Sequence, residues 1–185
     1  MTEIAIAAVG VLSLGNLLLI LLTIRAFRSS MSKLRDTLRM RAELTDVPYT
    51  GLRPGATVAT ATAVDVDGRE IVLPSPIGST LVGFFFPGCA PCEVLLPDFV
   101  AYAREFTTTG GQVISTVFHA ESTKQDRYVG LLREVSQVVV EDSEGAISAA
   151  FDSKAYPMMY VIDPNGVITA AGADLPTLTR ALTRV

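Results

Sequence analysis

The feature that most constrains this chain is a run of 21 residues without a charge, from Ile4 to Ile24. As a helix it would measure about 31 Å, close to the hydrocarbon thickness of a bilayer. A cleaved signal peptide is the alternative, but such peptides usually have basic residues before a shorter apolar core. Here the only charged side chain before the run is the acidic Glu3, and the basic residue Arg25 comes directly after the run. The sequence therefore predicts a retained single-pass transmembrane helix over residues 4–24, after a tip of residues 1–3.

A basic segment follows this run. Between positions 25 and 41 the chain has one acid, Asp36, and six basic residues: Arg25, Arg28, Lys33, Arg35, Arg39 and Arg41. Since basic flanks favour the cytoplasmic side, the charges by themselves predict that the rest of the chain is cytoplasmic.

The same segment has an apolar stripe. Phe27, Met31, Leu34 and Leu38 are spaced four, three and four residues apart, which predicts a juxtamembrane helix over residues 25–44. It would serve as a stalk, as a basic strip on anionic lipid, or as a weak homodimer seam through residues 27–38. Pro and Gly residues then predict a linker over 45–55, which leads to a domain over 56–185.

Composition narrows the function of that domain. The 185 residues are 49% apolar and 18% charged, which is enough to bury one core and excludes a mainly disordered chain. The net charge of −4 argues against a nucleic-acid binder. Two cysteines and one histidine, His119, cannot build a disulfide-stapled scaffold or a Cys₂His₂ zinc site. We expect no metal and no cofactor.

The order of secondary structure predicts an α/β domain. Two strands around an Asp67-Gly68 turn come first, then β-α-β-α, a short strand, a short helix, and a final ββα unit. The apolar run 79–86 predicts a strand buried on both faces, with Phe84, Phe85 and Phe86 in the core. The pattern indicates a mixed sheet covered on both faces.

Two of the predicted helices have features that the structure can test. The helix over 93–107 is expected to be interrupted at Pro97. The helix over 121–135 is expected to bury an apolar face of Tyr128, Leu131, Leu132 and Val135. The segment Asp163-Pro164-Asn165-Gly166 predicts a hairpin turn rather than a metal loop.

Cys89-Ala90-Pro91-Cys92 lies where a buried strand ends and a helix begins. A helix N-terminus presents unpaired N–H groups and about half a positive charge, which stabilise a thiolate and lower its pKa below about 8.5. We expect Cys89 to be the exposed nucleophile and Cys92, one turn further along, to resolve a mixed disulfide. Pro91 suits the first turn, where its missing N–H is not needed. This placement predicts a thiol–disulfide exchange site.

Other uses of a cysteine pair fit the sequence less well. Haem attachment requires a His directly after the second cysteine, and Glu93 stands there. Zinc would need two further strong ligands. A purely structural disulfide would close too small a loop to stabilise much. A thiol peroxidase stays open as an alternative, although the PxxxTxxC pattern of peroxiredoxins is absent.

The segment FFFPGCAPCEVLLPDF resembles the active-site segment of thioredoxin-fold oxidoreductases, and Tyr156-Pro157 resembles their cis-proline pair. The N-terminal run and the hairpin sequence DVDGREIVL are similar to the membrane-anchored TlpA/ResA branch. The charge-free leader with its basic flank is most similar to MauD-type proteins. The resemblance implies a thioredoxin-like fold, in which Cys89 attacks a partner disulfide and Cys92 releases the product. It also implies that cis Pro157 faces the cysteines, while the Tyr156 backbone pairs with an extended client segment.

Two carboxylates used by such proteins are missing. Thioredoxins place a buried Asp six residues before the first cysteine, where this chain has Gly83, and ResA-type proteins place a Glu where it has Leu95. Glu93 is close by, but an acid at a helix start is more often a solvated partner of the helix dipole than a proton relay. His119 is expected in a surface loop rather than near Cys89.

Together these features predict a membrane-tethered thiol–disulfide oxidoreductase that controls the cysteine redox state of a partner protein during its maturation. The expected partners are a cysteine-containing client and a separate redox partner. A non-catalytic tethered binding module and a thiol peroxidase are the alternatives. Because the similar proteins work outside the cytoplasmic membrane, we favour an extracytoplasmic domain over the cytoplasmic one that the basic flank indicates.

Overall fold

The structure is a computed structural model that describes residues 51–120 and 123–182, together with Gly15. The predicted transmembrane helix over 4–24, the basic helix over 25–44 and the first part of the linker therefore lie outside the described residues, apart from Gly15. Within the described ranges, no helix is both long and apolar enough to cross a membrane. The domain described below belongs to a compact unit of residues 44–185.

The domain contains seven strands and four helices in its described part. In chain order they are β1 (Ala61–Val64), β2 (Glu70–Leu73), β3 (Thr80–Phe85), α1 (Ala90–Thr108), β4 (Gln112–Phe118), α2 (Thr123–Leu132), β5 (Gln137–Glu141), α3 (Ala146–Phe151), β6 (Met158–Ile162), β7 (Ile168–Gly172) and α4 (Leu175–Leu182). This order matches the predicted one, with boundaries that move by a few residues.

Five strands form the central sheet in the order β5-β4-β3-β6-β7. Strands β3, β4 and β5 run parallel, whereas β6 and β7 are antiparallel to their neighbours. Strands β1 and β2 form a separate two-stranded sheet. The predicted mixed sheet is confirmed, but the sequence did not separate the first hairpin from it. Because β6 is antiparallel to β3, the start of β6 lies beside the end of β3, where Met158 pairs with Phe84.

Helices and the first hairpin cover the two faces of the sheet. Right-handed crossovers from β3 to β4 and from β4 to β5 put α1 and α2 on the same face. The side chains of this active-site face include Leu81, Phe85, Cys92, Leu96, Phe99, Val117, Tyr128 and Leu178. The opposite, closed face packs α3 and the β1–β2 hairpin through Ile71, Leu73, Val82, Phe84, Ile147, Phe151 and Tyr160.

The predicted turns are held by carboxylates. Asp65 accepts hydrogen bonds from the backbone N–H groups of Asp67 and Arg69 and from the Arg69 Nε, at 2.8–2.9 Å. Gly68 supplies the positive φ of +79° that this turn needs. In the second hairpin, Asp163 accepts the backbone N–H groups of Asn165 and Val167. Both turns follow from local hydrogen bonding of Asp side chains.

Two details differ from prediction. Helix α1 runs unbroken through Pro97, because the burial of the face carrying Leu96 and Phe99 outweighs the one backbone hydrogen bond that proline removes. On α2, Tyr128 and Leu132 are buried and Val135 follows in the core, but Leu131 is 38% exposed, because it lies to the side of the stripe that meets the sheet.

Candidate active site

Cys89 is the N-cap residue of α1 and follows directly on the loop after β3. Its backbone N–H donates to the Phe86 carbonyl, and its own carbonyl accepts the Glu93 N–H, both at 3.1 Å. Pro91 occupies the first turn, as predicted. These bonds fix the Cys89 sulfur at the positively polarised end of a 19-residue helix.

The environment of Cys89 favours its thiolate. A hydrogen bond from the Cys92 side chain, helped by the Cys92 backbone N–H, lowers the pKa of Cys89 to about 7. Partial burial and the nearby Glu93 carboxylate act in the opposite direction without reversing this. The Cys89 side chain is half-buried, and both cysteines are free thiols. Because the thiolate is the reactive species, a substantial fraction of Cys89 is nucleophilic near neutral pH.

Cys92 has the opposite character. It is fully buried on the active-site face. Two effects raise the pKa of Cys92 far above the ordinary range of a thiol: the larger is its hydrogen bond with Cys89, and the second is its burial. The two sulfurs of the pair therefore divide into an accessible thiol with a lowered pKa and a protected thiol with a raised pKa, while the predicted roles of nucleophile and resolving thiol stay predictions.

The loop before β6 completes the site. The Tyr156-Pro157 peptide bond is cis, as the resemblance implied. In its thiol form, Cys89 donates from Sγ to the Tyr156 carbonyl at 3.6 Å, across 67 positions of sequence. Pro157 is buried and immediately precedes β6. The fold thus brings Tyr156, Pro157, Pro91 and both cysteines to one end of the sheet, although their roles toward a client stay predictions.

An aromatic patch borders the site. The prediction that Phe86 lies in the core is wrong: Phe84 and Phe85 are fully buried, but Phe86 is 36% exposed. The reason is that β3 ends at Phe85, so Phe86 leaves the sheet. Its ring stacks on Phe118 with centroids 4.9 Å apart and lies 5.7 Å from Tyr156. The signal in the sequence was the Pro-Gly pair directly after Phe86, because such a pair favours a turn and so indicates that the strand ends before it.

The positions of the usual proton-relay carboxylates are apolar and filled. A Cβ at Gly83 would lie 2.8 Å from the Phe99 ring and 2.9 Å from Phe85. Leu95 is buried in the same core. A carboxylate at Gly83 would therefore need Phe99 to move. His119 is exposed at the end of β4, where its backbone N–H donates to the Glu141 carbonyl, in agreement with the predicted surface position.

Charged and polar groups from α2 lie beside the loop before Cys89 and the first turn of α1, and sequence analysis did not place them there. Arg127 pairs with Glu93 at 2.6 Å, and Tyr128 is buried in the same core as Cys92. The Lys124 ammonium would lie 3.7 Å from a Cβ at Gly88, in the loop before Cys89. These residues are more than 30 positions from the cysteines, so no local pattern connects them.

Comparison with known proteins agrees with this description. The AhpC/TSA family matches residues 54–171. No curated protein matches the chain. Among solved structures, the thioredoxin domain of a thiol-disulfide oxidoreductase from Bacteroides vulgatus is similar with a TM-score of 0.59 and 18% identity, over 72% of this chain and 97% of that one.

Two further solved structures show the same likeness. A thiol:disulfide interchange protein from Bacteroides sp. has a TM-score of 0.57 at 18% identity, over 72% of this chain and 92% of its own. StoA from Bacillus subtilis has a TM-score of 0.51 at 17% identity, over 64% and 89%. At these identities the likeness establishes the thioredoxin-like fold.

Proposed function

The chain belongs to the AhpC/TSA family as a thioredoxin-like thiol–disulfide oxidoreductase with the pair Cys89 and Cys92, and we propose that it is tethered to a membrane and controls the cysteine redox state of a client protein during that client's maturation. The observation that carries the proposal is the difference between the two thiols. Cys89 is half-buried with a pKa of about 7, whereas Cys92 is fully buried with a strongly raised pKa.

This difference supports a two-step exchange. The Cys89 thiolate attacks one sulfur of the client disulfide, forms a mixed disulfide and releases the other client sulfur as a thiolate. Cys92 then loses its proton and attacks the Cys89 sulfur. The Cys89–Cys92 disulfide forms, the bond to the client breaks, and the second client thiolate leaves. The client gains two electrons and the protein loses two, which a separate redox partner must return.

The client in this proposal is an extended segment that carries a cysteine. The Tyr156 carbonyl lies next to the Cys89 sulfur, in the loop two residues before β6 begins, where an added strand would find a backbone acceptor. The aromatic patch of Phe86, Phe118 and Tyr156 provides apolar surface beside it. Both features support capture of an unfolded or extended client.

The trapping experiment uses Cys92→Ser in the native host. Without the resolving thiol, the mixed disulfide between Cys89 and its client should accumulate and be recoverable by non-reducing electrophoresis and mass spectrometry. Cys89→Ser is the matched control and should trap nothing. If Cys92→Ser also traps nothing, the non-catalytic binding module or the thiol peroxidase is the better description. Rapid oxidation of reduced Cys89 by hydrogen peroxide, with turnover, would select the peroxidase.

The membrane attachment in the proposal is supported by the charge-free residues 4–24 and the family resemblance. We place the domain on the extracytoplasmic side, where an anchored exchanger would share a membrane face with its clients. A membrane-impermeant maleimide, added to intact cells after mild reduction, should label Cys89. Labelling that occurs only after lysis would show that the basic flank had indicated the side correctly and that the domain is cytoplasmic.

A further inference from the structure

A lysine from α2 lies against the loop that precedes Cys89. The Nζ and Cδ atoms of Lys124 lie 3.7 Å and 3.9 Å from the position that a Cβ would take at Gly88, the residue directly before Cys89. Gly88 is exposed and has a φ of +92°, so the loop presents bare backbone to the ammonium group. Lys124 thus places a positive charge beside the segment that carries the half-buried Cys89 thiol.

The charge of Lys124 is not neutralised within the part of the chain that the structure describes. Each ion pair there is made by other residues. Glu93, the acid in the first turn of α1, is already paired with Arg127 at 2.6 Å. A carboxylate on a client that approaches this loop would therefore meet an ammonium group that has no competing ion pair among the described residues.

Two roles fit an ammonium group at this place, and they differ in what Lys124 acts on. If Lys124 activated Cys89, it would lower the pKa of that thiol, but the lowered pKa results from hydrogen bonds made by Cys92, the side chain first. If Lys124 selects the client, it needs only to border the surface on which the client lies. Phe86 and Gly88, on the same loop as Cys89, are both exposed and form part of that surface.

We propose that Lys124 is a specificity-determining residue of the exchange reaction and selects disulfides that have a carboxylate beside the attacked sulfur. The inference rests on the proposed exchange function and deepens it, since the client segment then has an Asp or Glu next to its cysteine. The ammonium group pairs with that carboxylate while the Cys89 thiolate bonds to the client sulfur, the client S–S bond breaks, and its other sulfur leaves as a thiolate. Lys124 stays protonated throughout.

The preference has to come from a local positive group rather than from the field of the whole molecule. The chain has a net charge of −4, so its overall field does not attract anions. A comparison of the wild type with a Lys124 variant keeps nearly all of that field constant. The difference between the two proteins therefore reports the contribution of this one ammonium group.

The test compares three small symmetrical disulfides of similar size on the full-length reduced protein. Dithiodipropionate is anionic, hydroxyethyl disulfide is neutral and cystamine is cationic. At low probe concentration, the second-order rate constant for oxidation of the thiol pair reports attack by Cys89, and acid quenching followed by mass spectrometry measures it. Because the leaving thiols differ in pKa, the quantity compared is the ratio of wild type to variant for each probe.

Lys124→Gln should slow the reaction of the anionic probe by about 3-fold, speed that of the cationic probe by a similar factor and leave the neutral probe unchanged, as expected for one exposed ion pair. These differences should vanish in 1 M salt, where the screening length is about 3 Å. Lys124→Arg keeps the charge and should react like the wild type. Arg104→Gln is the matched control, because it removes a positive charge about 22 Å along α1 from Cys89, and no ratio should change.

A pair of disulfide-linked peptides extends the test to a segment that resembles a client. The two peptides differ only in having Asp or Asn next to the cysteine. The wild type should react with the Asp peptide about 3-fold faster than with the Asn peptide, and Lys124→Gln should react with both at the same rate.

Equal slowing of all three probes by Lys124→Gln would show that Lys124 activates Cys89 and does not select the client. The proposal is also wrong if the anionic probe is unaffected, if its preference persists in 1 M salt, or if Arg104→Gln has the same effect. Failure of the exchange function looks different: the wild type itself would not exchange with the neutral probe, or would not reduce a protein disulfide such as that of insulin.

Discussion

The two faces of the five-stranded sheet are both fully buried and yet do different work. On the closed face, Phe84, Phe151 and Tyr160 form an aromatic cluster with centroids 4.8–5.8 Å apart. On the active-site face, Phe85 and Phe99 pack edge to face at 4.9 Å, but Cys92 is buried among them. On the closed face, burial contributes only to stability. On the active-site face, burial also lowers the reactivity of a thiol, because Cys92 lies inside that core.

The largest expected effect comes from emptying one face at a time. Phe99→Ala and Phe151→Ala should each lower the free energy of unfolding by about 3–5 kcal/mol, measured by urea denaturation. Only Phe99→Ala should also speed alkylation of Cys92, because it admits water to the core that contains this thiol. Equal changes of Cys92 reactivity in both variants would show that the two faces are not chemically separate.

The two thiols should differ in alkylation rate on the order of 100-fold, since the thiolate reacts and Cys92 is both protonated and buried. The Cys89 rate should rise with pH through a midpoint of about 7 and level off above it. Site-resolved mass spectrometry after iodoacetamide pulses measures both rates. A midpoint near 8.5, or a faster Cys92, contradicts the assigned roles.

Replacing glycine tests how tightly the active-site face is filled. Gly83→Ala should cost about 1–3 kcal/mol, because its Cβ would overlap the rings of Phe99 and Phe85. Gly130→Ala, in α2 with nothing within 4 Å of its Cβ, should instead stabilise by about 0.5–1 kcal/mol. In a double-mutant cycle, Phe99→Ala should remove much of the Gly83→Ala penalty. Strict additivity would mean that the Phe99 ring does not fill this space.

The smallest effect is at the β6–β7 turn, which neither face depends on. A backbone hydrogen bond from Val167, with others from Asn165 and Gly166, lowers the pKa of Asp163. Because the folded value lies below the unfolded value of about 3.9, the stabilisation is present above that pH and is lost as pH falls through the folded value. Asp163→Asn should flatten the acid limb of a Tm-against-pH curve and leave Cys89 alkylation unchanged. An unaltered acid limb would show that Asp163 does not contribute to the pH dependence of stability.

The reduction potential of the Cys89–Cys92 couple sharpens the functional side of the comparison. The intervening Ala90-Pro91 lacks the His that stabilises the thiolate in strongly oxidising relatives. We expect a reducing couple, roughly −200 to −280 mV, measured by equilibration with glutathione. A value near that of DsbA would make the protein an oxidant.

Local sequence patterns were sufficient for the order of elements and for the cysteine site. Alternating and continuous apolar runs predicted the strands, Asp-Gly and Asn-Gly pairs predicted the turns, and the step from a buried strand to Pro91 placed Cys89 at a helix start. Each of these depends on residues a few positions apart. Where the chain departed from its relatives, at Gly83 and Leu95, the sequence showed that the usual carboxylates are missing but not what surrounds those positions.

Only the tertiary structure decided those surroundings. In the structure β3 ends at Phe85, one residue before the predicted end at Phe86, so Phe86 lies outside the core. The ring of Phe99 fills the space beside Gly83. The tertiary structure also brought the Tyr156 carbonyl to Cys89 and Arg127 to Glu93, across 67 and 34 positions. The order of elements and the hydrogen bond between the two cysteines depend on residues a few positions apart. The burial that adds to the raised pKa of Cys92 depends on side chains from separate strands and helices, which meet only when the whole sheet is covered.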